Sequence, residues 1–300
     1  DVSEFVDSFD AIERAKLELD LLIDKAAHVI KPLPIFSVAE MEEVYRRHAQ
    51  RVSQESFDLG RFLPELGRII APMVPGEVLL LLADTGVGKS TIVQSMLRSA
   101  SPLPSLLFSL ELPVTLMFER LVQMEVGCHR QDVLDEYREQ KAPLWQGYKG
   151  LHHVMVCPES GLSIQQIEAL IVRSELKFGR RPVLVAVDYV GLIGGRAAGS
   201  RYEAMSQIAE SIKQIAKRTE TIIIMASQIA RPDKKESITI NLHDAKDSGS
   251  LECSAGVVLG AWRPERSRLL LKVLKNTSGE SGSVVEASFD GAKMRITPAH

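Results

Sequence analysis

The chain has 300 residues, 45% hydrophobic and 25% charged, which is enough apolar content for one large α/β domain with an appendage and too much for a disordered chain. Its 36 basic and 39 acidic residues give a net charge of −3, which excludes a uniformly cationic nucleic-acid coat but not local basic clusters. No apolar run has the length of a membrane span. Cys128, Cys157 and Cys253 are dispersed without a C-x-x-C spacing, which disfavours a zinc site and a disulfide framework and points to a soluble protein of the reducing cytoplasm.

The chain begins at Asp1 with no methionine and no signal-peptide pattern, as a processed or trimmed chain does. Around 8–30, Ile12, Leu17, Leu19, Leu21, Leu22 and Ile23 fall on or near one side of a predicted helix, which Lys31-Pro32-Leu33-Pro34 ends. Ser37-Val38-Ala39-Glu40 is a capping box and predicts a second helix running to about Ser53. Two helices bury little by themselves. Residues 1–56 are therefore expected to be a helical extension that docks on the core or on a neighbouring subunit, with the main domain over 57–300.

Beyond Glu77, short apolar runs alternate with helix-like segments, the pattern of a parallel sheet with covering helices. The predicted strands are 78–82, 105–109, 153–156, 183–187, 222–226 and 257–261, and their unbroken hydrophobicity suits burial on both faces. From Arg268 to Ile296 the pattern alternates around Ser278-Gly279 and Asp290-Gly291, which predicts antiparallel strands closing one edge.

The first of these strands feeds into Ala83-Asp84-Thr85-Gly86-Val87-Gly88-Lys89-Ser90-Thr91, the phosphate loop G-x-x-x-x-G-K-[ST] with Ala83 in the place of the first glycine. Successive backbone N–H groups of such a loop form an anion nest, and the helix that begins near Lys89 turns its positive end toward the phosphates. Lys89 is expected to reach the β- and γ-phosphates, and Ser90 the Mg²⁺. Gly86 and Gly88 alone would read as an ordinary strand-to-helix turn, but a lysine followed by two hydroxyl residues has no use in one.

Three further strand ends carry polar groups. Asp188 closes the run Val183-Leu184-Val185-Ala186-Val187, the usual position of the carboxylate that holds the Mg²⁺ water shell, although alone it reads as a turn or cap residue. Glu111, after Phe108-Ser109-Leu110, is a candidate general base for an attacking water; the bland alternative is an acid favoured by a helix N-terminus. Gln228, after Met225-Ala226-Ser227, is a candidate γ-phosphate sensor at the start of a loop, or else a polar residue that merely ends a strand. Basic clusters follow the strands: Arg196 and Arg201; Arg231, Lys234, Lys235 and Lys246; then Arg263, Arg266, Arg268, Lys272 and Lys275. Each alone reads as a solvated face.

Taken in order, these motifs resemble the C-terminal motor domain of DnaB-type replicative helicases, within the wider RecA-like ATPases. The residues that carry the resemblance are Ala83 to Thr91, Phe108-Ser109-Leu110-Glu111, Asp188-Tyr189-Val190-Gly191-Leu192, Ser227-Gln228 and Asp247-Ser248-Gly249-Ser250-Leu251-Glu252, within a match over roughly 57–296. The resemblance implies a RecA-like P-loop fold with a mostly parallel sheet. It also implies ATP and Mg²⁺ as cofactors, and a homo-oligomer, expected to be a hexameric ring, that moves along single-stranded DNA with a primase or loader as partner. Lys89 and Ser90 then look like the phosphate and Mg²⁺ ligands, Glu111 like the base, Asp188 like the second metal residue and Gln228 like the sensor. Lys246, Asp247 and Gly249 match the segment that grips DNA, with Arg196, Arg201, Arg231, Lys234 and Lys235 in the loops that face it. Aromatic residues are only 5% of the chain, so contact is expected to be with the DNA backbone rather than by base stacking.

Two departures stand out. The family pattern for the residues completing a neighbour's site is K-x-R on a late strand; here the stretch is Lys275-Asn276-Thr277, with a threonine in the finger position. An arginine finger contributes on the order of a thousandfold or more in rate, so turnover is expected to be slow unless Arg263, Arg266 or Arg268 substitutes. The N-terminal helices, in turn, stand where the family has a separate domain. Thr277 favours a rival reading, a nucleotide-controlled DNA-binding, loading or regulatory scaffold, whereas Glu111 favours real hydrolysis. A small-molecule kinase gives Gln228 and the 247–252 run no role.

Overall fold

The computed structural model describes residues 35–139, 150–194, 201–229 and 249–299. The helix predicted over 8–30 lies outside them. The first described helix, α1 (Val38–Glu55), starts at the capping box read from the sequence: Ser37 Oγ accepts from the Glu40 N–H at 3.3 Å, and the Ser37 N–H donates to Glu40 Oε2 at 2.7 Å. Its apolar side is uncovered, with Ile35, Val38, Met41 and Tyr45 exposed. Arg51 pairs with Glu55 one turn on and with Glu220 across the molecule. The packed body begins at Phe57, which is fully buried and bridged to Met73 on the far side of α2 (Pro64–Ile69).

Nine strands form one sheet: β1 (Val78–Ala83), β2 (Ser105–Ser109), β3 (Val154–Cys157), β4 (Leu184–Asp188), β5 (Ile222–Gln228), β6 (Val257–Glu265), β7 (Arg268–Asn276), β8 (Val284–Asp290) and β9 (Arg295–Pro298). Their order is β3-β2-β4-β5-β1-β6-β7-β8-β9. The first six positions are parallel and the last three add antiparallel, so the predicted edge closure is present. The helices between strands are α3 (Lys89–Ser99), α4 (Val114–Val126), α5 (Arg130–Arg138), α6 (Ile164–Phe178), α7 (Arg201–Thr219) and α8 (Gly249–Ser254).

Burial explains why hydrophobicity alone located the strands. All six residues of β1 are buried, Leu79, Leu81 and Ala83 toward α3 and Leu80 and Leu82 toward the opposite core under α6 and α7. Each fully buried leucine contributes roughly 1.5–3 kcal/mol relative to exposure. The strand ends differ from the sequence reading where a polar residue continues a ladder. β4 runs one residue further, to Asp188; β5 includes Ser227 and Gln228; and β6 extends to Glu265 because it becomes one arm of a hairpin whose outer half is solvated.

Candidate nucleotide-binding site

β1 delivers the phosphate loop between β5 and β6, with Ala83 beside Gln228 on one side and Ala261 on the other. Ligands of open α/β sheets lie at this carboxyl edge. Gly86 and Gly88 take φ of 83° and 103°, a region other residues avoid, and so turn the loop into the first turn of α3. At Gly88 a side chain would also meet the Phe289 ring, whose Cε2 and Cζ stand 2.8 Å from where a Cβ would be.

Lys89 is 8% exposed. Its Nζ donates to the carbonyls of Ala83 at 3.2 Å and Asp84 at 3.1 Å, folding the ammonium over the loop. Burial lowers its pKa, and the carboxylates of Asp188, Glu111 and Asp84 oppose that. Asp188 is more deeply buried still, and burial raises its pKa. A hydrogen bond with the Ser90 side chain and the charges of Lys89 and Arg120 pull the other way, while Glu111 adds to the rise. The register puts Asp188 beside Ser109, and the Leu110 N–H donates to the Asp188 carbonyl at 2.9 Å, which fixes the start of the exposed Glu111 loop next to the acid. The structure thus brings together Lys89, Ser90, Glu111, Asp188 and Gln228. A buried ammonium, a hydroxyl joined to a buried carboxylate and a glycine turn at the start of a helix suit a Mg²⁺–nucleotide: the loop and Lys89 for the phosphates, Ser90 and Asp188 for the metal.

The antiparallel hairpin covers the other side. Arg263, two residues beyond Ala261, donates from Nη2 to the Gly86 carbonyl at 2.6 Å and stands 4.3 Å from the Phe289 ring centroid. Thr91 reaches Met294 Sδ at 3.6 Å. A cleft of about 610 Å³ opens beside Phe289, lined also by Arg266, Lys293 and Arg295.

Lys275 and Thr277 sit elsewhere. Lys275 pairs with Val258 and donates to the Glu252 carbonyl at 2.8 Å, and the Thr277 N–H donates to Gly256, which itself bonds Val78 at the opposite end of β1. Thr277 is thus at the far edge of the sheet, about 17 Å from the phosphate loop at strand spacing, and Lys275, level with Leu80 through Val258, is about 10 Å from it with its ammonium turned to Glu252, so neither is placed to complete the site of its own chain. Of the proposed substitutes, Arg263 is tied to its own loop and Arg268 is closed by Glu286, while Arg266 lines the cleft.

Arg196, Arg231, Lys234, Lys235, Lys246 and Asp247 lie outside the described residues. Arg201 and Gly249 begin α7 and α8. The segments 195–200 and 230–248 follow the ends of β4 and β5, which are neighbours in the sheet. One group escaped the motifs: Arg120 on α4, whose Nε is buried without a hydrogen-bond partner among the described residues. No spacing rule singles out an arginine in mid-helix.

This fold and this site define a P-loop NTPase of RecA-like architecture. The chain belongs to the DnaB-like helicase C terminal domain family, whose model matches residues 61–297. It is 25% identical to the replicative DNA helicase DnaB of Leifsonia xyli subsp. xyli, over 77% of this chain and 54% of that protein. It is 26% identical to DnaB of Treponema pallidum, over 73% and 51%. The chain therefore spans about half the length of the curated relatives it matches. Among solved structures, one isolated ATPase domain superposes with a TM-score of 0.76 at 19% identity, covering 89% of this chain and 100% of that one. A DnaB-like replicative helicase, described with its interactions with primase, superposes at 0.71 and 18% identity over 100% and 78%. At these identities the likeness is one of fold.

Proposed function

We propose that residues 57–300 are the ATP-hydrolysing motor domain of a replicative helicase that works in the cytoplasm as a homo-oligomeric, hexameric ring on single-stranded DNA. The observation that carries this reading is the convergence of Lys89, Ser90, Asp188, Glu111 and Gln228 on one sheet edge. The loop 83–91 would hold ATP, and Ser90 and Asp188 would hold a Mg²⁺ that would neutralise phosphate charge. Glu111 takes the proton of the attacking water. Gln228 is the last residue of β5, so loss of the γ-phosphate is felt where the DNA-facing segment begins. Arg196, Arg201, Arg231, Lys234, Lys235 and Lys246 hold DNA phosphates, with Asp247 and Gly249 shaping the grip. Lys275, level with Leu80 and turned to the Glu252 carbonyl, serves a neighbour's site.

Two exposed apolar surfaces among the described residues support the ring. One is the uncovered side of α1; the other is an apolar groove of about 370 Å³ on α4 and α5, lined by Val114, Phe118, Val133, Leu134 and Tyr137. A helix of one copy in the groove of the next is a head-to-tail contact, which closes into a ring when the rotation allows. Residues 1–56 are then a docking extension. A primase, named with the structural relative, or a loader is the proposed partner.

A second reading, a nucleotide-controlled DNA-binding or loading scaffold, is favoured by Thr277. Strand displacement on a forked duplex with ATP, measured beside particle mass, separates the two. The motor gives hexamers that unwind, with Lys89→Ala inactive. Rings that bind DNA but never unwind give the scaffold, and unwinding unaffected by Lys89→Ala overturns the site.

A further inference from the structure

We propose that Arg120 is the within-chain cation that distinguishes a nucleoside triphosphate from a diphosphate in this site, a role that rests on the nucleotide-binding reading above. Arg120 lies between Met117 and Gln123 on a stripe of α4 whose flanking members are 1% and 2% exposed. That stripe faces the P-loop helix, because Met117 Sδ accepts from Gln94 Nε2 at 3.0 Å and Met124 from Ser95 at 3.9 Å. Side chains on a helix lean toward its N-terminus, and α4 begins three residues after Glu111, so Arg120 leans toward the mouth of the nucleotide site. Its charge is felt at Asp188.

What its Nε lacks is a hydrogen-bond acceptor. The two glutamates nearest it along α4 are engaged elsewhere, Glu119 by Arg130 and Glu125 by Arg98. The Nε of Arg120 is buried with no hydrogen-bond partner among the described residues, and on the same seam Gln94 Oε1 is equally orphaned. A buried guanidinium nitrogen without an acceptor is costly, and natural proteins keep such groups where a ligand supplies the partner. The loop and Lys89 fix the phosphate chain from the opposite side, so the anion that a triphosphate brings and a diphosphate lacks, the γ-phosphate, is the partner Arg120 awaits. A planar guanidinium suits it better than an ammonium would.

The test compares ADP with the non-hydrolysable analogue AMP-PNP in titrations of the full chain carrying Arg120→Ala, with melting temperature recorded. The expected result is unchanged ADP affinity, with AMP-PNP affinity and ATP turnover reduced on the order of tenfold to a hundredfold, as for one charge-assisted hydrogen bond. Arg120→Lys should recover part of the loss; if the alanine variant folds poorly, Arg120→Gln carries the same comparison. Equal losses for both nucleotides, or no loss for AMP-PNP, overturn the proposal and leave Arg120 a structural residue. Failure of the wild-type chain to bind either nucleotide overturns the nucleotide reading itself, a different result.

Discussion

Arg263 on β6 holds the Gly86 carbonyl of the phosphate loop at 2.6 Å. Ala83 and Ala261 are paired in register, so Arg263, two residues on and on the same face, comes level with the loop and clamps it from the hairpin. The clamp rests on Phe289, 4.3 Å from the guanidinium carbon. Burial lowers the Arg263 pKa. A cation on an aromatic face contributes about 0.5–1 kcal/mol at such half-exposed sites, and a charged hydrogen bond about 1.5–3 kcal/mol. Arg263→Ala is expected to weaken ADP binding about tenfold, measured by calorimetric titration, by leaving the loop less ordered before phosphate arrives. Unchanged affinity would show the loop to be rigid without the clamp.

Gly88 meets two constraints, and they separate. Its φ of 103° excludes most side chains, and a Cβ would stand 2.8 Å from Phe289. Gly88→Ala should cost about 1–3 kcal/mol from backbone strain alone, with the ring clash added. Phe289→Ala in the same chain removes the clash and keeps the strain, so the double variant should melt higher than additivity of the singles predicts. Strict additivity would mean the ring moves aside freely.

His153 supplies a pH dependence. It is 8% exposed, its Nε2 donates to the Leu97 carbonyl at 2.8 Å, and its Nδ1 is buried without a partner. Burial lowers its pKa from 6.5, with the Leu97 bond opposing. Below pH 6.5 the unfolded chain binds a proton that the folded chain refuses, so stability is full above that pH and is lost as the pH falls toward the depressed folded value. His153→Gln should flatten this limb of the melting-temperature profile below pH 6.5. An unchanged limb would assign the acid sensitivity to other groups.

Much of the fold was legible because the parallel strands are buried on both faces. Runs such as Leu79 to Leu82 can be little else, and the Ser37–Glu40 box is a local signal with a local cause. The phosphate loop was legible because its chemistry demands Gly88, Lys89 and Ser90 in sequence. Strand ends were less so, since Asp188, Ser227 and Gln228 continue ladders through backbone hydrogen bonds that ignore side-chain polarity. Arg263 could be read only as one of three substitute fingers, not as a clamp on its own loop, and Arg120 could not be read as part of the site. One depends on which strand lies beside β1, after a register shift in the hairpin, and the other on which helix packs against α3. Both are facts of tertiary contact between segments far apart in the chain.

Thr277 stands where the resemblance to DnaB-type helicases would place an arginine finger, and the structure permits a direct test of that position. It is exposed, its N–H is held by the Gly256 carbonyl at 3.0 Å, and its side chain makes no hydrogen bond among the described residues, so Thr277→Arg should change stability by no more than about 0.5 kcal/mol. It lies at the opposite sheet edge from its own phosphate loop, so an arginine there can act only on the site of another copy. Fingers acting between chains contribute on the order of a thousandfold or more. If the assembled ring uses this edge, Thr277→Arg should raise ATP turnover at least about tenfold, with a rate per subunit that rises with protein concentration as copies assemble. A mixture with Lys89→Ala subunits tests the direction. Subunits carrying arginine beside a Lys89→Ala neighbour gain nothing, while wild-type sites beside an arginine-bearing neighbour gain fully. Turnover that is unchanged in the assembled state would mean that another cation, with Arg266 the nearest candidate, already fills the role.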